Sequence, residues 1–373
     1  MIKEVAEAID RQDYQTADRL IRELQNVETD NPWLKFYAAR LNEVSGELAI
    51  AAREYRELLR LTTNPKLIAS IRQGIGRIEL IEQTEIREQK QQRQSALEQA
   101  KAAPENQELG VLILEPIPSE QKQAAAKEFG RIMGLDPYTA RLQLPSRAWR
   151  LYRVGPLGEL QVYVNDFRAA GIPCFCAPVA AIGRPEVYLA LHFENADERA
   201  SIVYEPVPGS EALFSFDWSD ASAIVEGLLP IFGECVDVDA RRKQIRKIGV
   251  LDYARVIDLH LPSRNAIVRI CDRHYNFQRG HAFAGRPAAG EAQTTNRDNW
   301  NQLDRYLKQK LPGIPVRSDF QPFAETTVDF YPLLKAIDPR LDLLRIEETY
   351  WDTAFQLYSG LIFLEKSPPP ALP

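Results

Sequence analysis

The chain has 373 residues, which exceeds the length at which a single hydrophobic core stops growing, so two or three domains are expected. Hydrophobic residues make up 45% and charged residues 26%, a usage that excludes a wholly disordered chain. The 46 Lys and Arg are outnumbered by 52 Asp and Glu, and the net charge of -6 argues against nucleic acid as a partner.

The sequence also lacks the marks of a secreted or membrane protein. Its first ten residues contain acidic side chains and no apolar signal segment. The nearest approach to a membrane span, residues 355 to 364, is far shorter than the ~20 residues a span needs and is broken by polar residues. Four cysteines are too few to cross-link a chain of this length. We therefore expect a cytoplasmic protein with reduced thiols and no membrane insertion.

A pattern in residues 1 to 82 recurs along the chain. Three apolar positions return 34 residues later, and an Asn-Pro pair returns after 33: Ala17, Ile21, Leu24 and Asn31-Pro32, then Ala51, Tyr55, Leu58 and Asn64-Pro65. Thirty-four residues is the period of the tetratricopeptide repeat, a pair of helices in which small residues allow close approach. The segment resembles that family.

The resemblance implies stacked α-hairpins, with residues 66 to 82 as a capping helix, and a concave surface that receives another protein. The alternative is an array that only scaffolds the chain or joins two copies of it. As partner-binding residues the sequence suggests Tyr14, Arg40 and Glu47. Residues 83 to 108, rich in Glu, Gln, Lys, Arg and Ala, predict a solvated helical linker.

Residues 109 to 182 predict a small β-α-α-β-α-β unit. Gly134 is placed to end the first helix, and Asp136 followed by Pro137 is a typical helix start. The runs 134 to 141 (GLDPYTAR) and 170 to 173 (AGIP) resemble the C-terminal domain of the ribosomal stalk protein. In that domain, helices on one face of a small sheet bind protein partners, so the resemblance implies a second interaction module.

Residues 183 to 366 predict an α+β domain with an antiparallel sheet, and residues 367 to 373 a mobile tail. Strands are expected at 187–193, 200–205, 212–217, 254–261 and 266–271. The apolar run 224–232 is ambiguous between strand and helix. Helices are expected at 298–311 and at 328–337.

A basic run near residue 245 is the sharpest electrostatic feature. It contains five cations in seven residues: Arg241, Arg242, Lys243, Arg246 and Lys247. Two alternatives stay open, a solvated loop and a patch that binds a phosphorylated ligand, a nucleotide or an acidic partner.

The sequence offers no candidate for catalysis, a cofactor or a metal. It contains neither the G-x-S-x-G nor the H-E-x-x-H motif. Cys271 and His274 stand at a tolerable ligand spacing, with His260 on a neighbouring strand, but no clear fourth ligand completes a zinc site. We expect a protein that is not an enzyme.

Two further stretches, 144 to 153 (LPSRAWRLYR) and 351 to 361 (WDTAFQLYSGL), together with this order of parts, are similar to a tetratricopeptide-repeat family common in cyanobacteria. That family carries no established activity to transfer. The multidomain α and α+β organisation predicts an adaptor or assembly factor that binds a protein through its hairpins, with self-association also possible. The alternative is a sensor whose C-terminal region binds a small phosphorylated ligand.

Overall fold

The structure is a computed structural model that describes residues 2–25, 31–102, 104–238, 244–283, 295–343 and 349–366. Contacts between residues group the chain into two compact units, residues 1–96 and 97–373. No helix in the described residues is both long enough and apolar enough to cross a membrane.

Five helices begin in the described residues of the first unit: α1 (Ile2–Asp10), α2 (Tyr14–Gln25), α3 (Pro32–Val44), α4 (Leu48–Leu61) and α5 (Pro65–Ala102). Helix α1 packs on α2, α3 packs on α4, and α2 contacts α3. The turn between α3 and α4 contains Gly46, whose φ of 86° is a conformation that glycine adopts without a steric penalty.

The recurring residues of the sequence take up equivalent positions in these helices. The apolar members are all buried, Ala17 and Ala51 completely. Asn31 caps α3 by accepting a hydrogen bond from the Trp33 backbone N–H, and Asn64 caps α5 in the same way from Lys66. The repeat in sequence is therefore a repeat in packing and in helix starts.

Helix α5 is longer than the expected capping helix. Leu67, Ile71 and Ile78 of α5 are buried against the α3–α4 pair. The helix then continues without a break through the charged stretch to Ala102, a total of 38 residues. Most described residues of that stretch are exposed, as expected of a helix with few apolar side chains.

The second unit opens with a small sheet and its helices: β1 (Leu109–Leu114), α6 (Lys122–Met133), α7 (Pro137–Gln143), β2 (Arg150–Pro156), α8 (Leu157–Ala169), β3 (Cys174–Pro178) and α9 (Val179–Ile182). The strand order is β2-β1-β3 and both pairings are antiparallel. This is the order of elements expected from the sequence. Gly134 adopts a left-handed conformation after α6, and the Asp136 carboxylate accepts hydrogen bonds from two backbone N–H groups at the start of α7.

The central strand of this sheet is buried on both faces. Leu112 and Leu114 belong to a core formed with α6, α7 and α8. Val111 and Ile113 belong to a different core, most of whose other members come from the larger sheet and the C-terminal helices. In this chain, both faces of the small sheet are covered.

The larger sheet has seven strands: β4 (Glu186–Asn195), β5 (Arg199–Val207), β6 (Ser210–Asp217), β7 (Ala223–Val238), β8 (Gln244–Leu261), β9 (Ala266–Cys271) and β10 (Val316–Arg317). Their order is β10-β7-β8-β9-β4-β5-β6. The sheet is mixed, because β4 pairs with β9 and β7 with β10 in parallel, so the prediction of an antiparallel sheet was wrong for these pairs. Alternating hydrophobicity identifies strands, but it does not tell which strands become neighbours.

Four more helices follow: α10 (Asn296–Lys310), α11 (Phe320–Thr327), α12 (Tyr331–Lys335) and α13 (Trp351–Lys366). Helix α10 covers one face of the larger sheet, while α11 and α13 pack on the other. The single helix expected at 328–337 is instead a short 3₁₀ turn followed by α12, which begins afresh with Pro332 in its first turn. The expected mobile tail lies outside the described residues.

Candidate functional site

A carboxylate in the first unit joins three helices. Glu43 on α3 is only 7% exposed. It accepts two hydrogen bonds from Arg77 on α5, at 2.7 and 3.0 Å, and one from the hydroxyl of Tyr55 on α4, at 2.8 Å. Arg40, one turn earlier on α3, also donates to it. This set, Glu43 with Arg40, Tyr55 and Arg77, is called the Glu43 cluster below.

The chain makes room for this cluster. A Cβ atom at Gly74 would lie 2.7 Å from the Tyr55 ring, so only glycine lets α5 approach that ring so closely. Glu43 and Arg77 are also 34 residues apart, one repeat period. The ion pair thus joins α3 to α5.

The electrostatics of the cluster leave a surplus of positive charge. Burial raises the pKa of Glu43, but the hydrogen bonds from Arg77, Arg40 and Tyr55 outweigh it and hold the pKa below its ordinary value. The carboxylate is therefore ionised at neutral pH and balances one of the two arginines. The Arg40 side chain is 29% exposed and that of Arg77 is 34% exposed, so both reach solvent. We call Arg40 and Arg77 the arginine pair.

The three residues suggested for partner binding lie in different settings. Arg40 belongs to the Glu43 cluster. Tyr14 is the half-buried first residue of α2, and Glu47 is an exposed residue just before α4 whose side chain makes no capping hydrogen bond. Arg77 was missed by sequence reasoning, although its distance from Glu43, one repeat period, was a usable signal.

The basic run is only partly described. Arg241, Arg242 and Lys243 lie outside the described residues. Arg246 and Lys247 are exposed on β8, and the Arg246 guanidinium lies 3.5 Å from the carboxylate of Glu234 on β7. These two cations therefore stand on a hairpin strand, one of them beside an acidic residue.

A second polar network lies in the core of the larger sheet. Asp258, His260, Arg269 and Ser359 are all fully buried. Arg269 donates to both carboxylate oxygens of Asp258, at 2.8 and 2.7 Å, and also to Gln356 and to the backbone carbonyl of Pro339. The hydroxyl of Ser359 on α13 donates to Asp258 at 2.6 Å. We call this the Asp258 network; it ties α13 to β8 and β9.

The network contains serine, histidine and aspartate, but their order differs from that of a catalytic triad. In a triad, histidine lies between serine and aspartate and takes the serine proton. Here Ser359 lies between the other two: it donates to Asp258, and its oxygen is 2.9 Å from Nε2 of His260. With its proton donated to Asp258, Ser359 does not pass it to the histidine as a triad serine would. Burial lowers the pKa of His260 to about 4, so the ring is neutral at physiological pH.

The cysteines and remaining histidines do not form a metal centre in the described part of the chain. No group of three or more His, Cys, Asp or Glu side chains is arranged to hold a metal ion there. Burial raises the pKa of the Cys271 thiol to about 12, which makes it a poor thiolate ligand.

The second unit also contains a cavity of about 280 Å³ between the β7–β8 hairpin and helices α10 and α11. Its walls combine charged and amide side chains with the aromatic rings of Trp300 and Phe320. No sequence motif pointed to it, because its residues come from four separate elements.

Comparison with known proteins gives no further guide to the role of these sites. No protein-family model, curated protein or solved structure matches the chain.

Proposed function

We propose that the protein is a non-enzymatic adaptor that binds another protein in the cytoplasm through tetratricopeptide-type hairpins in its first unit. The arginine pair carries this proposal. Two half-exposed guanidinium groups share one buried carboxylate, so an ionised group from outside can complete the charge balance. The partner segment is accordingly acidic, such as an Asp- or Glu-rich stretch or a chain terminus.

Preorganisation supports the same conclusion. Arg77 is held by two hydrogen bonds to Glu43, which itself is fixed by Tyr55. An arginine held in this way loses less side-chain freedom when a ligand arrives than a free surface arginine would. The same ion pair that stabilises the hairpins thus prepares them for binding.

The absence of catalysis is also part of the proposal. The Asp258 network has the side chains of a hydrolase, but it is closed to solvent and its serine donates to the aspartate. Its contacts tie a helix to a sheet, which accounts for the network without any chemistry. An adaptor role also leaves room for self-association through the same hairpins.

A comparison of arginine variants tests the proposal. The full-length protein is used as bait, with a double variant Arg40→Gln/Arg77→Gln and a matched control, Arg56→Gln, which removes an exposed arginine of α4. We expect the double variant to lose a stoichiometric partner by about tenfold or more in quantitative mass spectrometry, equivalent to about 1.4 kcal/mol. The control keeps that partner.

Two further measurements separate binding from folding. Arg40→Lys keeps the charge and should retain most of the binding, and hydrogen exchange across α3 and α4 should show that the hairpins remain folded in each variant. Binding should also weaken with added salt, because the contact is between charges at the surface. If the folded double variant captures the same partners as the wild type, the proposal fails.

A further inference from the structure

The cavity of the second unit is lined by charged side chains of both signs. Its floor is one face of the β7–β8 hairpin, where Glu226 pairs with Ile257 and Leu228 pairs with Arg255. Glu226 and Arg255 are therefore diagonal neighbours on the same face of the ribbon. Helix α10 forms the opposite wall with Trp300, Asn301 and Asp304.

One side of the cavity carries excess negative charge. The ammonium of Lys308 on α10 lies 2.6 Å from a carboxylate oxygen of Glu226 and 2.8 Å from one of Asp304. Burial lowers the pKa of Lys308, but the hydrogen bonds to Asp304 and Glu226 outweigh burial and raise it, so the lysine stays charged. A single positive charge is thus shared by two carboxylates.

The other side carries one positive charge, the guanidinium of Arg255, which also interacts electrostatically with the carboxylates of Asp252 and Asp272. Arg255 is half-buried, and the hydrogen bond that its guanidinium makes among the described residues is to the neutral amide oxygen of Asn301, at 3.3 Å. The nearby carboxylate of Asp272 instead accepts from the backbone N–H of Arg255. A guanidinium has five N–H donors, so most of those of Arg255 remain available to a ligand.

The size and the apolar surfaces of the cavity limit what can enter. A volume of about 280 Å³ lies at the small end for ligand pockets. The rings of Trp300 and Phe320 offer flat apolar contact. The space suits a single small molecule.

We propose that this cavity binds a free α-amino acid, with its carboxylate on Arg255, its ammonium on the cavity side of the Glu226 and Asp304 carboxylates, whose negative charge Lys308 only half balances, and its side chain against Trp300. A guanidinium on one side and two carboxylates on the other match a zwitterion, whose ammonium and carboxylate groups are attached to the same carbon. A phosphorylated ligand fits less well, because a dianion would stand beside two carboxylates in a site with no net positive charge. The site adds a small-molecule input to the proposed adaptor and does not depend on the hairpins.

Calorimetric titration of the full-length protein with the twenty amino acids, up to about 10 mM each, tests the proposal. We expect at least one to bind, and its deaminated acid and decarboxylated amine analogues each to bind at least tenfold more weakly. Inorganic phosphate and adenosine monophosphate serve as competing probes. The proposal is overturned if none of the twenty amino acids binds, or if phosphate or the nucleotide binds more tightly than every amino acid.

Variants locate the binding. Arg255→Gln and Glu226→Gln should each weaken binding of the amino acid about tenfold or more. Arg305→Gln removes an exposed arginine of α10, the helix that forms one wall of the cavity, and should leave the affinity unchanged. Undiminished affinity in a folded Arg255→Gln protein places the ligand elsewhere and ends the assignment. Because the analogue series uses the wild-type protein, the proposal stays testable even if one variant does not fold.

Discussion

The Glu43 cluster and the Asp258 network each stabilise a buried carboxylate, but they differ in their exposure to solvent. Each places a carboxylate where several helices or strands meet, and each satisfies it with arginine and hydroxyl donors. The Asp258 network is sealed, since its arginine is fully buried. The Glu43 cluster has two arginines, and both reach solvent.

The difference shows when a buried ion pair is only structural and when it also prepares a surface. Asp258 and Arg269 are both buried, and they bond to each other, to two residues of α13 and to the Pro339 carbonyl. With one carboxylate for two arginines, Glu43 leaves charge at the surface. The comparison makes four predictions about stability, ordered by expected size.

The largest effect is expected from Asp258→Ala. It leaves Arg269 charged, buried and without its main acceptor, which costs about 3 to 5 kcal/mol of unfolding free energy. Urea unfolding followed by tryptophan fluorescence measures the loss. The double variant Asp258→Leu/Arg269→Met should be more stable than the single one, because it removes both charges. If the double variant is the less stable of the two, the pair is not the closed unit described here.

Glu43→Gln comes next. It removes a charge that is bonded to two arginines and leaves those arginines to repel each other, at a cost of about 2 kcal/mol. Because Glu43 has a lowered pKa, its contribution is present above the ordinary pKa of a glutamate and is lost as the pH falls through its folded pKa. Hydrogen exchange in α3 to α5 at pH 7 reports the loss. Glu47→Gln, an exposed glutamate beside the same hairpin, is the control and should change little.

His260 gives a comparable effect that depends on pH. Burial lowers its pKa to about 4, the Asp258 charge opposes this shift and Arg269 adds to it. The unfolded chain takes up a proton near pH 6.5 and the folded chain does not, so stability falls as the pH drops from about 6.5 towards 4. Between pH 6.5 and 5 the wild type should lose about 2 kcal/mol more than His260→Gln, which keeps a donor for Ser359. Parallel pH profiles for the two proteins would contradict the buried neutral ring.

Arg40→Gln should have the smallest effect. Its half-exposed ion pair is worth about 0.5 to 1 kcal/mol, because Arg77 and Tyr55 still hold Glu43. The cost should shrink further in about 1 M salt, where charges near the surface are screened, whereas the cost of Asp258→Ala should not. Equal salt dependence of the two variants would remove the distinction between open and closed networks.

Local patterns made some elements predictable from the sequence. Helix starts and ends depend on residues close together in the chain. Asn31 and Asn64 therefore cap α3 and α5, Gly134 ends α6 and Asp136 starts α7, as the sequence predicts. The residues of the Asp258 network lie up to 101 positions apart. No local signal joins Asp258 to Ser359, so only the fold brings them together.

The same reason explains the unpredicted parallel strands and the cavity. Strand β9 lies beside β4 only because the chain returns to the first strand of the sheet after four others. The walls of the cavity come from β7, β8, α10 and α11. For the first unit, by contrast, the residue that sequence reasoning missed, Arg77, follows the repeat spacing.

Strand β1, with a core on either side, limits how the chain can be divided. A fragment ending at residue 182 would keep the core of Leu112 and Leu114 but expose Val111 and Ile113 to water. Residues 109 to 182 are therefore not an independent domain that recombination can move by itself, although their order of elements resembles one. Shuffling in evolution, or by an engineer, has to carry the seven-stranded sheet along with them.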